Sequence, residues 1–143
     1  LKTDAKLSSC RNYRFALWRT WDDSKPFAMI IGLNPSTADE FENDPTITRC
    51  INFAKSWGYG GVCMANLFAY RATEPSDMKS HNDPIGAEND MWLTKLSKGA
   101  AIVRKITWPP KITWPPNLFG YIFNCFNSFL PFIFNRNVYF WLY

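Results

Sequence analysis

The sequence predicts an α/β fold built on a mainly parallel sheet, and three observations carry that expectation. Residues 27 to 33, FAMIIGL, form a short continuous apolar run of the kind buried on both faces of a parallel sheet. Ile47, Cys50, Ile51, Ala54 and Trp57 then recur at three- and four-residue steps, the period of a helix with one apolar face. A second apolar run, residues 62 to 67, follows a Gly60-Gly61 turn, so strand, helix and strand succeed one another as in a parallel crossover.

Taken in order, residues 1 to 9 are polar and basic, without the apolar segment of a secretory signal. Tyr13, Phe15 and Leu17 alternate with Arg14, Ala16 and Trp18, the period of a half-buried strand. An antiparallel edge strand is expected there, closed by the turn Asp22 to Pro26. Arg11, Arg14 and Arg19, beside Trp18 and Trp21, read as a solvated basic strip rather than a nucleic-acid contact. Asp44 is placed to cap the following helix and Pro45 to occupy its first position, where a missing N–H costs nothing. Gly58 ends that helix. Residues 68 to 82 read as a long polar loop after the second strand. Asp83-Pro84 then repeats the helix-opening device, with Ile85, Trp92 and Leu96 as the buried stripe and Lys95, Lys98 and Gly99 at the end. Residues 100 to 103 begin a third strand.

A chain of 143 residues suits one domain with a real core. The formal charge is +4, yet residues 1 to 105 carry fourteen Lys/Arg against twelve Asp/Glu, too even for the concentrated basic face of a nucleic-acid binder. Cys10, Cys50, Cys63 and Cys125 lie far apart and His81 is the only histidine, so no closely spaced metal-ligand set is present and neither a metal nor another cofactor is expected. Unpaired thiols fit a reducing compartment, which makes a cytoplasmic location the expectation. The sequence has no Walker loop, no Ser/His/Asp set and no dinucleotide G-x-G-x-x-G, so triphosphatase, serine hydrolase and dehydrogenase chemistry lack support.

Beyond residue 103 the pattern changes. KITWPP occurs twice in tandem, at 105 to 110 and 111 to 116, and its Pro pairs forbid helix and interior strand. From Asn117 to Tyr143, twenty of the twenty-seven residues are Phe, Asn, Ile, Tyr or Leu, with Arg136 the sole charge, which marks an aggregation-prone segment. Residues 118 to 134 are uncharged and reach the lower length limit of a membrane span, but Asn124, Asn127, Ser128 and Pro131 interrupt them, so no membrane association is expected. The expected organisation is a partial α/β domain over residues 10 to 103 and an aberrant tail over 104 to 143. A shifted reading frame or shortened gene would account for such a tail.

Candidate chemistry centres on Gly32 to Pro45, GLNPSTADEFENDP, because ligands of open α/β sheets sit at the carboxyl ends of the strands. Asn34-Pro35 serves either a site or a rigid turn, and Thr37 with Glu40 has the capping-box spacing of a short helical turn. Asp39, Glu40, Glu42 and Asp44 place four negative charges within six residues, which would repel a phosphate unless basic groups or a cation intervened. Asp44 is explained as a cap. Asp39 is the less explained acid, with the options of a general base or a magnesium ligand through water. Asn66, ending the second strand, either contacts a ligand or bonds neighbouring backbone. Arg71 has a ligand reading and an ion pair with the acidic loop as its alternative. Trp57, Tyr59 and Trp92 read as core and rim aromatics.

At GLNPSTAD, DPTITRCINFAKSWGYGG and NLFAYRATEP the chain resembles the bacterial family catalogued as domain of unknown function 1643, over about Cys10 to Lys98 and including YRFALWRTWDD and DPIGAEND. Members of that family typically continue with further strand and helix units and a late His-Pro segment, which this chain replaces with its KITWPP copies and Phe/Asn tail. More distantly, Gly32, Asn34 and Pro35, followed by Asn66, resemble motifs of the uracil-DNA glycosylase superfamily. That resemblance implies a three-layer α/β/α fold and the binding of a nucleobase, nucleotide or nucleic acid. It further implies that Asn34 positions water, Asn66 pairs with a base, Phe68 or Tyr70 stacks on it, and Arg71 holds a phosphate. Pro35 and Ser36 complete the ligand side of the loop. His81 stands in the wrong loop for the histidine such enzymes carry near their end, so any glycosylase-like hydrolysis is expected of fuller relatives rather than of this chain. The alternative is a non-catalytic binding module or a decayed fragment.

Overall fold

The computed structural model describes residues 1–106; the repeat from residue 107 on and the aromatic tail, with Cys125, lie outside the described residues. Five strands and three helices follow one another as β1 Lys2–Leu7, β2 Arg14–Thr20, β3 Phe27–Gly32, α1 Pro45–Ser56, β4 Gly61–Asn66, α2 Pro75–Ser80, α3 Asn89–Gly99 and β5 Ile102–Lys105. They form one α/β unit around a sheet of order β1-β2-β4-β3-β5. β3 lies between β4 and β5, parallel to both, while β1 with β2 and β2 with β4 are antiparallel. The sheet is therefore mixed, which corrects the expectation of a mainly parallel one.

The apolar runs form strands for the anticipated reason. Side chains alternate across a sheet, so Leu17, Ala28, Ile30, Val62 and Met64 meet Ile47, Cys50, Ile51 and Ala54 of α1 on one face. Their chain neighbours Ala16, Met29, Cys63 and Ala65 meet Leu93, Leu96 and Ala100 on the opposite face, beside α3. Every residue of β4 is buried. A strand covered on both faces has no polar side to show, and its sequence reads as an unbroken apolar run.

The α1 boundaries match the local chemistry. Asp44 has extended backbone and its side chain accepts from the Ile47 N–H, while Pro45 fills the first turn. At the other end Gly58 takes the left-handed conformation (φ 82°), and the Tyr59 N–H returns to the Ala54 carbonyl.

Other expectations are corrected. β2 is antiparallel but not an edge strand, because β1 pairs along it from Lys2↔Thr20 to Leu7↔Arg14. β1 is mostly exposed and joins through backbone hydrogen bonds, so no apolar period announces it. Residues 68 to 82 contain a helix, α2, rather than loop alone. The third helix begins at Asn89, not at Asp83-Pro84, and its buried residues are Asn89, Leu93 and Leu96. Ile85 packs instead against the separate cluster of Leu33, Phe68 and Met78.

Candidate functional site

β3 and β4 are neighbours, yet the chain leaves them toward opposite faces: β3 leads to α1 and β4 leads past α2 to α3. The chain crosses from β3 to β4 and then back past β3 to β5, so the strand order reverses at β3, and the carboxyl edge of an open α/β sheet at such a reversal is where ligands bind. Gly32 and Asn66, the last residues of the two strands, are in register. Beyond them the exits stay laced together, with the Leu67 N–H on Gly32 O at 3.0 Å, Phe68 N–H on Leu33 O at 2.9 Å and Ala72 N–H on Pro35 O at 2.9 Å.

Two amides flank this edge, each held by one end. Asn34 donates through Nδ2 to the Ala72 carbonyl at 2.7 Å and to its neighbour Pro35 O at 3.2 Å, so Oδ1 is the end left to accept. Asn66 is held the other way round: Oδ1 accepts from Arg14 Nη2 at 3.2 Å, which leaves Nδ2 as its donor. Asn66 is only 1% exposed. Its backbone carbonyl, with that of Leu67, accepts from Asn89 Nδ2, both at 3.0 Å, so the first residue of α3 anchors the end of β4.

The acidic loop is gripped by arginines. Arg14 (2% exposed) donates Nη1 to Ala38 O at 2.7 Å. Arg19 (1% exposed) reaches Asn43 Oδ1 at 2.7 Å, Asp39 O at 2.6 Å and Glu42 O at 3.1 Å. Arg71, half-buried, spans Thr37 O at 3.1 Å, Arg11 O at 3.3 Å and Ser36 O at 3.5 Å. Exposed Arg11 forms a bidentate pair with Glu40 at 2.8 and 2.9 Å. Arg14 and Arg19 thus depart from the expected solvated strip, because both are buried and donate to loop acceptors, Ala38 O for Arg14 and Asp39 O, Glu42 O and Asn43 Oδ1 for Arg19. Burial lowers the pKa of both, that of Arg14 to about 10.

This arrangement also settles the loop's local form. Thr37 and Glu40 make no capping box: Glu40 is drawn to Arg11, and Asp39 Oδ1 accepts the N–H groups of Phe41 and Glu42 at 2.9 and 3.0 Å. Those two backbone donors, aided by Arg71 and Arg11, hold the Asp39 carboxyl below its ordinary range. A carboxylate so stabilised is a weak base. Pro35 is buried and Ser36 half-buried in the first turn of the loop.

The aromatic candidates separate. Phe68 is 1% exposed in the cluster with Leu33 and Met78. Tyr70 is half-buried and stacks on His81, ring centroids 3.8 Å apart, with Tyr13 edge-on at 5.7 Å. The structure therefore brings Asn34, Pro35, Ser36, Asp39, Asn66 and Arg71 to one strand edge, with Phe68 beneath it and Tyr70 in a neighbouring ring cluster. Arg14, Arg19 and Asn89 belong to the same polar group and were not anticipated as its members. A signal for the first two was present, since four clustered carboxylates need positive counter-charge nearby; nothing local marked Asn89.

Among the described residues no group of three His, Cys, Asp or Glu side chains is arranged to hold a metal ion. Cys10 is exposed and its thiol pKa is lowered, chiefly by the Ser8 hydroxyl, whereas burial raises Cys50 to about 11 and Cys63 to about 12. No helix among the described residues is long and apolar enough to cross a membrane. No curated protein and no solved structure matches the chain. The model of the family described as protein of unknown function (DUF1643) matches residues 14–114, and the chain belongs to that family.

Proposed function

We propose that this domain binds a nucleobase-containing ligand, a nucleotide or a nucleic-acid end, at the carboxyl edge of β3 and β4, and that this chain binds without catalysing. The observation that carries the reading is the pair of oppositely held amides at the carboxyl ends of β3 and β4. Asn34 is left with an acceptor and Asn66 with a donor, and the polar edge of a base is read by such a combination. The Gly32-x-Asn34-Pro35 exit and Asn66 on the adjoining parallel strand also favour a glycosylase-like ancestry with a three-layer α/β/α plan. Catalysis is disfavoured by the chemistry of the acid and of the histidine. Asp39 is held in its weakly basic state, and His81 is engaged with Tyr70 and with the Asp83 N–H.

The test is calorimetric titration of the full chain with a panel of nucleosides, nucleotides and short single strands, beside a base-release assay on uracil-containing DNA. The expected result is binding that weakens on Asn34→Ala by about 1 to 2 kcal/mol, the cost of an unpaired ligand donor, with no base released. Absence of binding across the panel overturns the proposal. Release of a base, abolished by Asn34→Ala, replaces it with an enzymatic function.

A further inference from the structure

Arg14 makes an incomplete set of contacts for a buried guanidinium. Nη1 is taken by Ala38 O and Nη2 by Asn66 Oδ1, while Nε, equally buried, has no hydrogen-bond partner. Nε and Nη2 lie on one edge of the guanidinium, the edge that grips carboxylates and phosphates with two parallel N–H donors. Here a neutral amide oxygen occupies one prong and the other is open. Among the described residues no carboxylate lies within ion-pair distance of Arg14. An unmade hydrogen bond at a buried charged donor is unusual in native proteins and calls for an occupant. Arg71, in the segment after β4, grips the same loop, and after burial its positive charge is among the causes that lower the Arg14 pKa, so an anion beside Arg14 would offset that repulsion.

We propose that the open edge of Arg14, with Arg71 nearer the surface, takes the phosphate group of the ligand. This deepens the reading of the strand edge as a nucleotide site and rests on it. The loop carbonyls of Ser36 and Thr37 occupy Arg71 donors that a phosphate would share, while Ala38 O holds Arg14 through Nη1 and leaves its Nε unpaired. Entry requires the Ser36–Ala38 turn to yield, exchanging carbonyl acceptors for the stronger anionic ones.

The experiment compares the four ribonucleosides, their 5′-monophosphates and inorganic phosphate as ligands of the full chain, by titration and by thermal midpoint. Monophosphates are expected to bind at least about tenfold more tightly than nucleosides, equivalent to about 1.4 kcal/mol. Arg71→Gln is expected to reduce that ratio, and Asn66→Asp, which sets a carboxylate against the Arg14 edge, to abolish it. Because Asn66→Asp supplies a counter-charge rather than removing a buried group, the variant keeps its fold and its midpoint no longer rises with phosphate. Equal affinity for nucleosides and monophosphates overturns the phosphate site and leaves the base-binding reading standing. A midpoint raised by phosphate in the parent chain but not in Asn66→Asp, without nucleoside binding, supports the anion site and removes the base-binding reading. An unchanged response to phosphate in both variants overturns the assignment to Arg14 and Arg71.

Discussion

The two crossovers of the sheet start from the same dipeptide and diverge. Asp44-Pro45 and Asp83-Pro84 both use the aspartate Oδ1 to accept a backbone N–H three residues on, from Ile47 at 2.8 Å and from Gly86 at 3.0 Å. After Ile47 the chain continues as α1. At Gly86 it enters the left-handed region (φ 82°) and the helix is aborted, so α3 starts only at Asn89. The reason is tertiary: a Cβ at position 86 would lie 2.8 Å from Tyr13 Cδ1, and that ring needs the space to reach the Asp83 carbonyl and the Tyr70 ring. A capping hydrogen bond opens a helix only where the next residues are free to follow it.

The comparison breaks most sharply at the glycine. Gly86→Ala places a Cβ against Tyr13 in a left-handed backbone, and we expect a loss of about 3 kcal/mol, from roughly 1–2 for the conformation and about 1–2 for the overlap. Urea unfolding monitored by Trp fluorescence measures it; a loss under about 1 kcal/mol would show that the turn is not held by Tyr13. A smaller effect separates the two aspartates. Asp44→Ala removes a working helix cap and should cost about 1 kcal/mol, whereas Asp83→Ala, on an exposed turn, should cost about half that or less. Equal losses would mean that both serve the same purpose.

The smallest effect lies in the acidic loop and is read through pH. The Arg11 guanidinium holds Glu40 below the usual glutamate range, and backbone donors do the same for Asp39. Both folded-state values are depressed, so their stabilisation is fully present above the ordinary carboxylate range of about pH 4 and is lost as pH falls through the lower folded values. Arg11→Gln should therefore lower the melting temperature slightly near neutrality, and the difference should shrink as pH falls through the depressed folded-state range of Glu40. A difference that persists undiminished in acid would assign the role of Arg11 to packing instead of charge.

The first crossover was legible because each signal in it is local. The apolar run 27–33, the Asp44-Pro45 cap, the three- and four-residue period and Gly58 act on residues within a few positions of themselves. In the second crossover the Asp83 signal marks a capping contact but not a helix start, with the distant Tyr13 ring packed where the turn bends at Gly86. The candidate edge divides in the same way. Gly32, Asn34, Pro35 and Asn66 could be found from their places at strand ends. Arg14 and Arg19 sit in a strand whose period-two pattern says only that alternate residues face opposite sides, not which of those sides is covered by the loop.

By itself the sequence determined the α/β class, the β3–α1–β4 unit and the strand ends at Gly32 and Asn66, because hydrophobic period and backbone capping depend on near neighbours. Tertiary structure alone decided that β1 closes the β2 edge, that the sheet is mixed, and that the acidic loop is held by buried arginines. Strand pairing and charge burial depend on which distant segments meet, and residues far apart in the chain give no local sign of meeting.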